Sequence, residues 1–191
     1  MEQGFDDFTK AGFARLLKHF EDNTDDVVKL TRAFALANKA HRGHAAGSEP
    51  HVNHAIRVAL ILADELQMRD SDIVSAGLLH DALDGVQEQD VKDECGDRVA
   101  AIVKAAFEPK GGQDHEKALA EYFARLAKEP KEARCIEIAD RLEKARSLKE
   151  NAHREKAARF KDETQKHAVP LAQNTDERLA LKLSVALYEI K

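Results

Sequence analysis

The sequence contains no tryptophan and two tyrosines, and aromatic residues make up only 5% of it. A sheet-rich fold draws on aromatic and β-branched side chains, so a core of Leu, Ile, Val and Ala favours packed helices. Glycine and proline are scarce, nine and four, and they fall between segments with helical periodicity, with no low-complexity tract. Long hydrophobic runs are missing too. The most apolar stretch, Val52 to Leu66, is interrupted by His54, Arg57, Asp64 and Glu65, which excludes a bilayer span. No basic excess exists: 30 basic against 35 acidic residues give a formal charge of −5, which argues against a protein that grips nucleic acid through its phosphates. The start, Met1-Glu2-Gln3-Gly4-Phe5, has neither the basic residues nor the apolar stretch of a signal peptide, so the cytoplasm is the expected location. Cys95 and Cys135 lie in unrelated segments without a CxxC pairing. They read as reduced thiols, Cys135 as a buried one. Composition leaves the oligomeric state open.

What is present is helical periodicity, punctuated by the few glycines and prolines. Phe8, Phe13, Leu16, Leu17 and Phe20 fall at three- to five-residue steps along a first helix. Asn23 to Asp26 supply a cap and an acidic first turn for a second helix, running to about His41. The stretch from Arg42 to Glu49 reads as a loop, and Pro50 as the opening of an apolar third helix. Asp70-Ser71-Asp72 starts another, expected to continue to Leu83. A short piece after Gly85, a break at Gly96 and a helix from Asp97 to Phe107 follow, with Pro109 to Gly112 as a loop. Helices are expected from Pro130 to Arg146, then up to Pro170, and from Thr175 to Ile190. No stretch reads as a strand, and no linker or repeat divides the chain. The expectation is an all-α single domain over residues 1–191, a bundle of about eight to ten helices.

Polar residues inside apolar helices carry the chemistry. On a helix, Ile73, Ala76, Gly77, His80 and Asp84 form one stripe, with Asp81 next to His80. A buried imidazole and an adjacent carboxylate are costly alone, and one divalent cation satisfies both. His54 begins the apolar helix before them, and Asp140 interrupts the apolar run Ile136 to Leu142. Each taken singly is equally a satisfied core or surface residue. Together, two histidines and two aspartates make a mixed N/O set suited to Mn²⁺, Fe²⁺ or Zn²⁺. His41 and His44, three apart at a helix end, read as polar loop residues rather than ligands.

This ligand order, His54, then His80-Asp81, then Asp140, resembles the metal-dependent HD phosphohydrolases. Ala40-His41-Arg42-Gly43-His44, Gly47 to His54, Ala76 to Asp81 and Ile138 to Leu142 resemble, more narrowly, the hydrolase domain of the RelA/SpoT family and its small alarmone hydrolases. The likeness covers roughly Thr31 to Leu148. It implies a helical fold and a divalent cation, Mn²⁺ first, held by His54, His80, Asp81 and Asp140. It also implies a phosphorylated nucleotide substrate, with removal of the 3′ pyrophosphate from ppGpp. Asp84, one turn beyond His80, would position the attacking water.

The chain departs from that family around the pocket. Where Glu-Asp usually follows, Asp84-Gly85 stands; Lys144 replaces an Asn, His51 a Tyr and Ala55 a Pro. The loop before His54 is one residue shorter, with Ala46 near the place of a base-stacking Arg. Lys144 is a candidate phosphate ligand, as are Arg42 and Lys39, against the plainer reading of all three as solvent-facing. Three readings therefore stand side by side: an active phosphohydrolase of ppGpp or another nucleotide, a metal-containing nucleotide sensor without turnover, and a structural helical domain.

Overall fold

In the computed structural model, residues 5–41, 45–46, 49–108, 114–151 and 154–190 are described. The chain forms two compact units, residues 1–107 and 108–191. Among the described residues there are eleven α-helices and one pair of two-residue strands.

The first unit contains α1 (Asp7–Leu17), α2 (Thr24–Ala40), β1 (Ala45–Ala46), β2 (Glu49–Pro50), α3 (Val52–Leu60), α4 (Ser71–Leu78), α5 (Glu88–Cys95) and α6 (Asp97–Ala106). The starts follow their side chains: Asp6, Asn23 and Asp70 each accept a hydrogen bond from a backbone N–H of the first turn they cap. Helix α2 packs on α4 and α5, α3 on α1 and α4, and α6 on α4 and α5. Leu30, Ile56, Leu62, Leu78 and Leu79 are fully buried. Gly77 lets α4 approach the end of α3: a Cβ there would lie 2.6 Å from Leu62 Cδ1.

A buried polar joint fixes α3 against α1. The Thr9 hydroxyl lies 2.7 Å from Asp6 Oδ1 and 2.5 Å from Asn53 Oδ1. Asn53 Nδ2 donates to Asp6 Oδ2 at 2.8 Å. Asn53 directly precedes His54, so the joint sets where the first turn of α3 presents that imidazole.

Two expectations need correction here. Pro50 does not open the third helix. It pairs with Ala45 across the small antiparallel bridge, and α3 starts at Val52 with His51 as its N-cap. A two-residue strand is too short to leave an alternation in the sequence. Helix α4, moreover, ends at Leu78 instead of continuing to Leu83. The chain tightens there into i→i+3 bonds, Ala82 N to Leu79 O at 2.9 Å and Gly85 N to Ala82 O at 2.9 Å. His80 and Asp81 therefore stand in a turn, and Asp84 ends a 3₁₀ segment, Ala82–Asp84, with its side chain exposed.

The second unit contains α7 (His115–Leu126), α8 (Lys131–Asn151), α9 (Arg154–Glu163), α10 (Val169–Gln173) and α11 (Glu177–Glu189). Helix α7 corresponds to no helix expected above, and α8 runs beyond Arg146. Pro170 lies inside the first turn of α10 rather than after a helix end. Helix α11 packs on α8 and α10. Every side chain from Cys135 to Glu143 is buried, so α8 is the core of this unit. The expected loop at Pro109 to Gly112 lies outside the described residues, apart from which the all-α expectation holds. No described helix is long and apolar enough to cross a membrane.

Asn53 is fully buried, and truncating it removes its bonds to Thr9 and Asp6, which keep only each other. Asn53→Ala is expected to cost about 1–3 kcal/mol, measured as a lowered midpoint in urea unfolding.

Candidate metal centre

His54 sits in the first turn of α3, half-buried, and His80 follows the end of α4, buried. Their rings meet edge to face with centroids 5.2 Å apart. With Asp81 they form a group whose ligand atoms all lie within 4.8 Å of one another. His80 Nδ1 lies 2.9 Å from the carbonyl oxygen of Gly77. A carbonyl only accepts, so Nδ1 carries the proton and the lone pair belongs to Nε2, the tautomer a metal ligand needs. Two imidazoles and a carboxylate, one ring already oriented from behind, fit a divalent cation of the Mn²⁺, Fe²⁺ or Zn²⁺ type.

The structure adds two histidines that the sequence reading did not place here. His41 caps the C-terminal end of α2, and its Nε2 lies 2.9 Å from Asp81 Oδ1. His51, at the start of α3, stacks on His41 with ring centroids 4.5 Å apart and planes 24° from parallel. His41, His51 and Asp81 form a second group with ligand atoms within 4.8 Å. Burial opposes charge on Asp81, but His80, His41 and His54 outweigh it and hold the carboxyl far below the usual carboxylate range. Burial lowers the His51 pKa, and the neighbouring His41 and His54 act in the same sense against the pull of Asp81. The signal for His41 was the pair of imidazoles at the helix end. What hid it was the close approach of two chain segments far apart in sequence.

That approach depends on Gly85. A Cβ at residue 85 would stand 2.2 Å from the carbonyl oxygen of Ala40 and 3.0 Å from its Cα. The turn after Asp81 thus lies directly on the backbone of the last residue of α2, immediately before His41. The acid that the resemblance leads one to expect at this position has no room in this fold.

In the second unit, Asp140 is buried on α8, and Lys144 donates to its Oδ2 at 2.6 Å. Burial disfavours the ammonium, but Asp140 and Glu137 more than compensate and raise the Lys144 pKa. Lys144 therefore combines a partly exposed side chain with an ion pair to buried Asp140. One turn away, Arg141 Nε donates to Glu137 Oε1 at 2.8 Å, and Tyr122 Oη donates to Glu137 Oε2 at 2.7 Å. Arg141 also lies over the rings of Phe123 and Phe160 at 5.3 and 5.7 Å. Of the other residues singled out in the sequence, Lys39 is exposed in the last turn of α2, and Arg42 and His44 lie outside the described residues. Burial raises the pKa of both thiols, Cys95 and Cys135, to about 11, as expected of structural cysteines.

A sequence model of the HD domain family matches residues 33–176. The chain belongs to the HD domain family. The match runs through both compact units. Among the relatives of this HD protein is the guanosine-3′,5′-bis(diphosphate) 3′-pyrophosphohydrolase of Aquifex aeolicus, 29% identical over 83% of this chain and 23% of that protein. The bifunctional (p)ppGpp synthase/hydrolase SpoT of Escherichia coli is 30% identical over 65% of this chain and 18% of its own length. The chain thus spans about a fifth of those bacterial relatives. A guanosine-3′,5′-bis(diphosphate) 3′-pyrophosphohydrolase of Drosophila melanogaster is 31% identical over 53% of this chain and 58% of its own. Among solved structures, a metazoan ortholog of SpoT, described as hydrolyzing ppGpp, aligns with a TM-score of 0.74 and 26% identity. It covers 84% of this chain and 94% of that one.

Two outcomes follow from the HD geometry. Gly85→Ala is expected to lower stability by about 1–3 kcal/mol, because the new methyl meets backbone rather than a yielding side chain; a thermal or urea melt measures it. Arg141→Leu leaves Glu137 buried without its cation and should cost about 3–5 kcal/mol, with part of the loss recovered in the double variant carrying Glu137→Gln.

Proposed function

We propose that this protein is a metal-dependent phosphohydrolase that removes the 3′ pyrophosphate from guanosine-3′,5′-bis(diphosphate) or a closely related nucleotide. One observation carries the reading: His54, His80 and Asp81 converge with ligand atoms within 4.8 Å, inside an HD domain whose relatives bear that activity in their names. Mn²⁺ is the proposed cation, with Fe²⁺ and Zn²⁺ as alternatives. Asp140 is proposed as its fourth ligand because it fills that place in the family's motif order. The two compact units are proposed to serve as one functional domain, since the family match spans both.

A divalent cation in such a site acidifies a bound water and draws charge from a phosphoryl oxygen. The protein's own part is to present neutral imidazole lone pairs, as the Gly77 carbonyl arranges for His80, and to keep Asp81 ionised. Asp84, exposed at the end of its 3₁₀ turn, is proposed to orient the attacking water. Lys144, held protonated on α8, is proposed to bind substrate phosphate, as are Lys39 and Arg42 near the end of α2. The reading carries with it a soluble, cytoplasmic protein whose partner is a small nucleotide rather than nucleic acid or membrane.

A sensor reading has one observation in its favour. Gly85 excludes an acid from a position where the resemblance leads one to expect it, so the acid–base apparatus is reduced to Asp84.

The test is pyrophosphate release from ppGpp and a panel of other nucleotides by Mn²⁺-loaded protein. Release from ppGpp is expected, and the paired variant His80→Ala/Asp81→Ala should lose it by at least about a thousandfold, the scale of removing the principal charge stabiliser from an active site. Asp84→Asn should lower kcat with little change in KM. Tight ppGpp binding without turnover would replace the enzyme by the sensor, and release from a different nucleotide alone would keep the chemistry but move the substrate.

A further inference from the structure

Asp81 belongs to two groups of potential ligands, not one. Its first partners, His54 and His80, are those of the metal centre described above. Its second partners, His41 and His51, come from the end of α2 and the start of α3. His51 stands where the resemblance has Tyr, so the second group belongs to this chain's own sequence rather than to the motif. All six pairwise relations needed for two triads hold at once, each triad within 4.8 Å.

We propose that His41, His51 and Asp81 form a second divalent-cation position, with the Asp81 carboxylate bridging it to the first. The 2.9 Å separation of His41 Nε2 and Asp81 Oδ1 is the decisive distance. Two ligands at adjacent corners of an octahedral cation, each bonded at about 2.1 Å, stand about 3 Å apart. The same edge that a proton now bridges thus accepts a cation, with release of that proton to solvent. His51, stacked on His41 at 4.5 Å, supplies the third ligand after a small tilt of its ring. A carboxylate has two oxygens. With Oδ1 on the His41 side, Oδ2 would remain for the first cation. Two cations held by these residues would suit a substrate bearing adjacent phosphates, whose charge they could share. Gly85 is what makes the second position available, since its missing side chain brings the end of α2 onto the turn that carries Asp81.

The inference does not need the proposed substrate, and its test is the count of ions rather than turnover. The full chain is stripped with chelator, dialysed against excess Mn²⁺, and its metal content is measured alongside its electron paramagnetic resonance spectrum. Wild type is expected to hold two ions per chain with a spin-coupled spectrum. His51→Phe, which keeps the ring stack but cannot ligate, is expected to hold one ion with an isolated-ion spectrum. His51→Gln serves if the Phe variant does not fold. His54→Gln/His80→Gln should also hold one ion, and adding His51→Phe should remove it. One ion per chain in wild type overturns the second position, whichever variant loses it, and so do two ions that survive His51→Phe. If His51→Phe loses an ion while His54→Gln/His80→Gln keeps both, the second position stands and the metal assignment under the proposed function fails.

Discussion

A half-buried carboxylate surrounded by imidazoles sets the terms for the first unit. Asp81 has been drawn largely out of water, which costs free energy unless polar partners lie close by. Here the partners are the imidazoles of His41, His54 and His80, three side chains from three separate segments, converging on one turn. None of those segments could move away without leaving Asp81 buried and uncompensated. The carboxylate therefore acts as a fastener. It ties the C-terminal end of α2 to the start of α3 and to the turn after α4, and the uncharged devices nearby serve the same end. Gly77 admits Leu62 and offers its carbonyl to His80, Gly85 admits the backbone of Ala40, and Asn53 locks α3 to α1 one residue before His54.

The second unit solves the same problem with Arg141 and Lys144. Glu137, Asp140 and Glu143 are all buried on α8, a concentration of acid that a helix core tolerates only when each is answered. Arg141 and Tyr122 answer Glu137, Lys144 answers Asp140, and Ser147 donates to Glu143. The Asp-Arg-Leu motif thereby acquires a physical meaning. Its Asp is charge-balanced by the following turn, its Arg clamps a buried glutamate between two aromatic rings, and Leu142 is fully buried. Lys144 in place of an Asn fits this pattern. An ammonium at that position meets the Asp140 carboxylate with opposite charge, where an amide offers only a neutral donor.

The residues that sequence reading placed well are those whose signal is local. Caps at Asn23 and Asp70, the break at Gly96 and the acids inside apolar helices follow from chemistry within a few positions. The failures share a cause. The apolar pattern continues to Leu83, but the turn at His80 lies against the end of α2, a tertiary contact that periodicity does not record. Pro50 carries a valid helix-start signal that a two-residue bridge overrides. His41 lies at a helix end, where a loop role is the plainer reading, yet that helix end is what packs against Asp81. Helix α7 leaves no comparable mark: its apolar positions are interleaved with charge, and the contacts of Tyr122 with Glu137 and of Phe123 with Arg141 show what it covers.

The departures around Asp81 are best understood as one change rather than several. An acid at residue 85 would add a second negative charge close to Asp81 and would hold the end of α2 away, since even a methyl there meets Ala40 at 2.2 Å. With glycine instead, His41 comes within 2.9 Å of the carboxylate, and a ring at residue 51 comes within stacking distance of His41. A Tyr in that place would stack as well but present a hydroxyl; a His presents a lone pair at the same edge. Loss of the acid and gain of the imidazole therefore push the environment of Asp81 in one direction, toward more nitrogen donors and less negative charge. Under the proposed function, such a site would rely less on a positioned general base and more on its donors for holding a cation. Asp84, out on its exposed turn, is the carboxylate proposed to orient the water, so the proposed division of labour between Asp81 and Asp84 would follow from a single missing side chain.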